Sequence, residues 1–223
     1  MNFASAWIVL LRKEFFLEFR NRTAIGGILL YSVATIYVSY LSFRQITDLP
    51  TWNALFWIIL LFASFNVAGR SFDKEGGGRE MYLYTLAKPS AIIGSKMAFN
   101  ALLLVVLGLF SLLVYAVLIG TKPLTGTDYP MFITGLVVGC IGIASLLTTV
   151  AGIAYKTENN VGLTAVLGLP VILPFLLTLI KFSKNALDGL AWSVNSGYLL
   201  VLLLLNVVIW VLGYILFPYL WRD

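Results

Sequence analysis

The sequence predicts an all-α integral membrane protein with six transmembrane helices, and three observations predict it. Charged residues make up 11% of the 223 positions and hydrophobic residues 60%, with a mean hydropathy of +0.94. A globule in water carries about 25% charge, so the solvent of this chain is the bilayer. Six apolar runs, at 24–43, 52–69, 97–119, 131–154, 161–180 and 198–217, contain no Asp, Glu, Lys or Arg. Each is close to the ~20 residues with which a helix crosses a ~30 Å hydrocarbon core. Their apolar character is continuous, not alternating, which excludes barrel strands and leaves helices that satisfy their own backbone groups.

The first element precedes the spans. Residues 2–22, NFASAWIVLLRKEFFLEFRNR, have helical propensity with Phe3, Trp7, Leu11 and Phe15 on one side and Lys13 and Arg20 on another. The amphipathy is imperfect, because Glu14 and Glu18 interrupt the apolar stripe. An interfacial helix on the cytoplasmic leaflet is expected, serving either as an anchor to anionic lipid or as a dock for a cytoplasmic partner. Glu18 and Arg22 have the i,i+4 spacing of a helical ion pair. No small-residue cleavage site follows the run that begins at Ala24, so the segment does not read as a cleaved signal and the chain is expected to insert whole.

Six spans place both termini on one side, and the basic residues say which. Arg12, Lys13, Arg20, Arg22, Arg70, Lys74, Arg79, Lys88, Lys96, Lys156 and Arg222 fall on the face of the termini; Arg44, Lys122, Lys181 and Lys184 fall on the other. This asymmetry puts both termini in the cytoplasm. It also accounts for the net charge of +5 as topology, with no nucleic-acid surface implied. Trp52, Tyr129, Trp192, Tyr198, Tyr219 and Trp221 stand at span ends, where interfacial aromatics are expected.

Between the second and third runs lies the most polar stretch of the chain, the loop 70–96. Within RSFDKEGGGREMYLYTLAKPS, residues 70–90, seven side chains are charged: Arg70, Asp73, Lys74, Glu75, Arg79, Glu80 and Lys88. The three glycines, 76–78, weaken helix and suit a bend. Beyond them REMYLYTLA reads as a short helix with Met81, Leu83, Tyr84 and Leu86 apolar, stopped at Lys88 because Pro89 disfavours a helical residue before it. Two readings stand for this loop: a docking helix for a motor ATPase, or a charged loop that only sets topology.

The fourth run sets Gly135, Gly139, Gly142, Ser145 and Thr149 within about a quarter of the helix circumference. A face of small residues lets another helix approach closely; a subunit interface or the lining of a ligand path would use the same face. The fifth run contains LGLPVILPFLL, with Pro170 and Pro174 on one face, and a kinked or partly broken helix is expected, for bending or for gating. After it, Leu187, Leu190, Ala191 and Val194 have the spacing of a short helix on the outer interface before the sixth span. Asn53, Asn66, Asn100 and Asn206 are candidates for hydrogen bonds between spans.

Several chemistries are missing from the sequence. There is no histidine, so histidine catalysis and histidine ligation of metal or haem are not available to this chain. One cysteine, Cys140, excludes an internal disulfide and reads as a buried apolar thiol. The GGG at 76–78 is followed by Arg79 and Glu80 and not by the lysine and hydroxyl of a phosphate-binding loop. Apolar runs without charge offer no site for ion coupling. The expectation is a non-catalytic membrane subunit, a single domain over 1–223, with no cofactor of its own and with energy supplied by a partner.

The order of elements resembles the ABC-2 type (type V exporter-like) permease fold, with its N-terminal interfacial helix. More narrowly, the segment FDKEGGGREMYLYTLAKPSAIIGSK and the paired prolines of LGLPVILPFLL resemble the haem exporter protein B (CcmB) family of cytochrome c maturation. The basic and aromatic REMYLYTLAKP departs from the more uniformly aliphatic helix expected there. The resemblance implies that Glu75, Gly78, Glu80, Leu83, Leu86 and Pro89, with Met81 and Tyr84 on the same helix, contact the ATPase, and that Pro170 and Pro174 belong to a bent fifth helix. It further implies a bacterial inner-membrane complex with a CcmA-like ATPase dimer that binds ATP and with CcmC-like and CcmD-like membrane proteins. Haem would be handled by that complex. Two alternatives remain: an ABC-2 permease exporting a lipid, polysaccharide or drug, and a non-transporting assembly factor.

Overall fold

The computed structural model describes residues 3–20, 22–43, 48–72, 87–120, 126–155 and 160–220. These form seven α-helices: α1 (Phe3–Arg20), α2 (Arg22–Phe43), α3 (Leu49–Gly69), α4 (Pro89–Ile119), α5 (Tyr129–Ala154), α6 (Asn160–Leu187) and α7 (Trp192–Leu220). No strand occurs among the described residues. Six of the helices, α2 to α7, are long and apolar enough to cross a membrane.

Local chemistry fixes where several helices begin. Asp48 and Asp128 have extended backbones, and their side chains accept from the N–H groups of Thr51 and Met131, each at 3.1 Å. Each carboxylate satisfies one of the orphan donors of the first turn. Pro50 and Pro130 follow in that turn, where a missing N–H costs nothing. Pro89 opens α4 for the same reason, after an extended Lys88. The third apolar run therefore starts well inside its helix, and Lys96 is a helical residue rather than the end of a loop.

Packing is organised around α5, which touches α3, α4, α6 and α7. Most of α3 and α5 is buried, whereas α2 and α7 present most of their surface outward, as helices at the edge of a bilayer bundle do. The core combines Trp52, Phe56, Trp57, Leu136, Cys140, Phe175, Leu179 and Phe182. Trp52, expected in an interfacial belt, is fully buried: its ring lies 4.9 Å from that of Tyr115 in an edge-on contact and 6.0 Å from that of Phe56. One turn into α3 its side chain points at α4 and α5, and packing with those aromatics takes precedence over the headgroup region.

The expectation of a kinked or partly broken fifth span is narrowed, and that of a separate outer helix after it is corrected. Pro170 and Pro174 lie inside one continuous helix, α6, so the chain is not broken there. Both prolines occupy the exposed side of α6. The separate outer helix expected around Leu187, Leu190, Ala191 and Val194 is absent: α6 continues to Leu187, and α7 already begins at Trp192. Gly189, with φ of +69°, turns the chain between them, and a Cβ there would meet the carbonyl of Gly126, a position only glycine fills without strain. The turn is held by Asp128 N–H donating to Ala186 O at 3.0 Å.

Candidate functional site

The residues that stand out chemically form a buried polar cluster at the end of the bundle that holds α1, the end of α3 and the start of α4. Lys96 is 2% exposed in the second turn of α4. Its ammonium lies 3.4 Å from the Glu14 carboxylate of α1, donates to the carbonyl of Ser71 just after α3, and sits 4.8 Å above the ring of Phe72. A lysine ammonium has three donors and no acceptor, and here a carboxylate, a carbonyl and an aromatic face surround it. The Phe72 contact adds the attraction of a cation for a ring face.

One turn further along α4, Asn100 donates to the hydroxyl of Ser71 and, at 2.8 Å, to that of Thr148 in α5. Thr148 in turn donates to the carbonyl of Ala144. Three helices, α1, α4 and α5, and the start of the 70–88 connection thus meet in one network. A small cleft of about 20 Å³, with room for a single water, adjoins it and is lined by Glu14, Glu18, Arg70, Ser71, Lys96 and Asn100.

Glu14 is one of the two acidic residues that interrupt the apolar stripe of α1, and it is buried there. The face of α1 that packs on α4 is Leu10 and Glu14, both buried, flanked by Trp7 and Phe15. The indole of Trp7 rests against Gly94, where a Cβ would lie 3.3 Å from Nε1, and Phe15 meets Phe99 edge-on at 5.0 Å. The first element is therefore docked on α4. Lys13 also reaches Glu14, at 3.5 Å from the more exposed side.

A second polar cluster lies at the opposite end. Trp57 Nε1 donates to Ser183 Oγ at 2.8 Å, Ser183 donates to Asn53 Oδ1 at 2.9 Å, and Asn53 donates to the Ile180 carbonyl at 3.0 Å. Asn195 of α7 donates to Phe182 O at 3.0 Å and accepts from Asn185 at 3.1 Å. These bonds tie α3, α6 and α7 together where buried polar groups need partners. Asn206 reaches Val138 O of α5 at 3.3 Å, whereas the hydrogen bond of Asn66 goes to Phe62 O of its own helix.

The residues singled out from the sequence distribute as follows. Glu75, Gly78, Glu80, Met81, Leu83, Tyr84 and Leu86 lie outside the described residues. Pro89 is the first residue of α4, two turns before Lys96. Gly135, Gly139 and Gly142 face α6, where a Cβ would run into Phe182, Leu179 and Phe175 respectively. Thr149 of the same helix lies 3.9 Å from Met97 Sδ on α4. Among the described residues, no three His, Cys, Asp or Glu side chains come together as a metal site.

Lys96 and Glu14 are the functional candidates that the sequence reading missed. The signal was present in two places: a glutamate on the apolar stripe of an amphipathic helix, and a lysine followed without interruption by an apolar run. Each is a charge in an apolar setting, and such charges call for each other. The chain matches no protein-family profile, and no curated protein matches its sequence. The described residues are all-helical apart from turns, with six helices long and apolar enough to cross a membrane and a buried ion pair at one end.

Proposed function

We propose that this chain is the membrane permease subunit of an ABC-type complex in cytochrome c maturation, driven by a partner ATPase dimer that docks on the loop 70–96 at the cytoplasmic face of a bacterial inner membrane. The observation that supports this reading most is the placement of charge. Glu14 and Lys96 are the buried charged residues among those described, and they sit together at the loop end of the bundle. The six apolar runs contain no charged residue for an ion gradient to act on, so the loop is the natural place for energy to arrive. Displacement of the loop at Ser71 and Lys88 would act directly on α3 and α4, which the Lys96 and Asn100 bonds connect to α1 and α5.

Within this reading, Glu75, Gly78, Glu80, Met81, Leu83, Tyr84, Leu86 and Pro89 form the ATPase-facing segment, on the strength of the family resemblance. With no histidine in the chain, histidine ligation of haem falls to a CcmC-like or CcmD-like partner. ATP-driven release of a haem-loaded chaperone fits that distribution of residues better than haem conduction.

The test is purification of the tagged chain from its native membrane with identification of what accompanies it. An ATPase together with a membrane protein of different sequence is the expected result. Recovery of the chain with an ATPase and only further copies of itself would replace this reading with export of a lipid, polysaccharide or drug. Full ATPase association and normal c-type cytochrome levels in a Glu80→Ala, Leu83→Ala variant would favour an assembly factor without coupled motion.

A further inference from the structure

The geometry points to Lys96 as a positioning residue that joins the N-terminal helix α1, the beginning of the 70–88 connection and α4 into a single mechanical unit. Each of the three elements contributes one component to the same buried site. Glu14 brings a carboxylate from α1, Ser71 brings a carbonyl from the turn after α3, and α4 brings the ammonium that binds both. Phe72, 1% exposed, closes the site with its ring against Nζ.

The site is discriminating because it is buried. On a surface, a pair 3.4 Å apart would exchange freely with water and would contribute little to holding two helices in register. With Lys96 2% exposed and Glu14 8% exposed, moving α1 away from α4 would separate the Lys96 ammonium from the Glu14 carboxylate in an apolar setting, which is strongly disfavoured. The same holds for the turn after α3, since the Ser71 carbonyl and hydroxyl are bound by Lys96 and Asn100 of α4. Elements held in this way have few intermediate arrangements: they move together or they separate at a large cost.

This linkage rests on the proposed coupling role for what the motion achieves, but it is a property of the chain alone. If the loop receives force from a partner, α1 receives it too, although α1 precedes the loop by more than one span. The N-terminal helix is then part of the moving assembly and not merely an anchor to lipid.

The test uses the full chain in lipid nanodiscs with Cys140→Ala, so that introduced cysteines carry the only labels. Spin labels at Val9 of α1 and Phe62 of α3, both exposed, report the distance between these helices by pulsed EPR. A control pair at Tyr129 and Lys184, exposed at the opposite end, reports the rest of the bundle. The expected result is one narrow α1–α3 distance in the parent, a broadened or shifted distribution in Lys96→Met, and recovery of the narrow distribution in Lys96→Arg, whose guanidinium can donate to both the Glu14 carboxylate and the Ser71 carbonyl. An unchanged α1–α3 distribution in Lys96→Met with the control pair intact would overturn the proposal. If Lys96→Met disturbs the control pair as well, Lys96→Arg decides: recovery of both pairs supports the linkage, and a persistently broad α1–α3 distance with the control pair recovered overturns it. No ATPase is present, so failure of the linkage and failure of the docking reading show separately.

Discussion

Replacing Gly142 with alanine tests whether α5 and α6 are held by close approach. A Cβ at Gly142 would enter the ring of Phe175, with Cε2 and Cε1 at 2.6 and 2.9 Å. Cζ would be closer still, and carbon atoms in contact settle at about 3.5–4.0 Å, so the ring must retreat by roughly 1.5 Å. Phe175 is 2% exposed in the core cluster shared by α3, α5 and α6, and in a close-packed interior it has nowhere to go without moving its neighbours. Overpacking of this kind costs about 1–3 kcal/mol, and the depth of the clash places Gly142→Ala near ~3 kcal/mol, about two orders of magnitude in the folding equilibrium. The measurement is reversible unfolding in mixed micelles with increasing SDS. Phe175→Leu introduced with Gly142→Ala should return part of the loss, with a coupling of about 1 kcal/mol or more in the double-mutant cycle. Gly26 and Gly27 of α2 have nothing within 4 Å of an added Cβ, and alanine there should be neutral or stabilising by up to ~1 kcal/mol. Gly142→Ala within about 0.5 kcal/mol of the parent, or Gly26→Ala as costly as Gly142→Ala, would refute the reasoning.

Three further outcomes follow from the same geometry. Trp57 and Trp52 are both fully buried, but Trp57 Nε1 donates to Ser183 while Trp52 Nε1 has no hydrogen-bond partner among the described residues. Trp57→Phe should therefore cost more than Trp52→Phe in the same unfolding assay, and Ser183→Ala, which orphans the Trp57 N–H, should cost about 1–3 kcal/mol. At the start of α3, hydrogen bonds from the Thr51 side chain and backbone hold the Asp48 carboxyl below its ordinary 3.8. A depressed folded value means that the cap's contribution is complete above the unfolded value and is lost as pH falls through the folded one. The stability difference between the parent and Asp48→Ala should be constant near neutrality and shrink towards zero below about pH 4; a difference that grows on acidification would contradict the assignment. Finally, single cysteines in a Cys140→Ala background at Lys88 and Lys184, both exposed, should react with an impermeant maleimide from opposite faces of the membrane, Lys88→Cys from the cytoplasmic face. Labelling of Lys88→Cys from the outer face and Lys184→Cys from the cytoplasmic face would overturn the positive-inside orientation.

The apolar runs were legible because burial in lipid requires long uninterrupted apolar segments, and all six runs fall within observed helices. Their ends were less legible. Hydropathy marks where apolar residues stop, whereas helices stop where backbone donors and acceptors find other partners, as at Asp48, Asp128 and Gly189. So α4 extends eight residues before Met97 and takes in Lys96, and α6 runs on to Leu187 past Lys181 and Lys184. The glycine face of α5 could be drawn from helical periodicity, but its neighbours, Phe175, Leu179 and Phe182 of α6, could not. The proline pair suggested a kink or a partial break because proline removes a backbone donor; α6 is continuous through both sites, which lie on its exposed side.

By itself the sequence determined the solvent of this protein, its helical class, the number of long apolar helices and the absence of histidine chemistry, all of which depend on composition and on contacts within one segment. Only the tertiary structure decided that Glu14 and Lys96, 82 positions apart, share a buried site with Ser71 and Phe72. A charge in isolation is read as a surface group, because water is the commonest way to satisfy it. Its reading changes when the fold removes water and supplies a counter-charge from another helix, and that choice of partner is a property of packing in three dimensions.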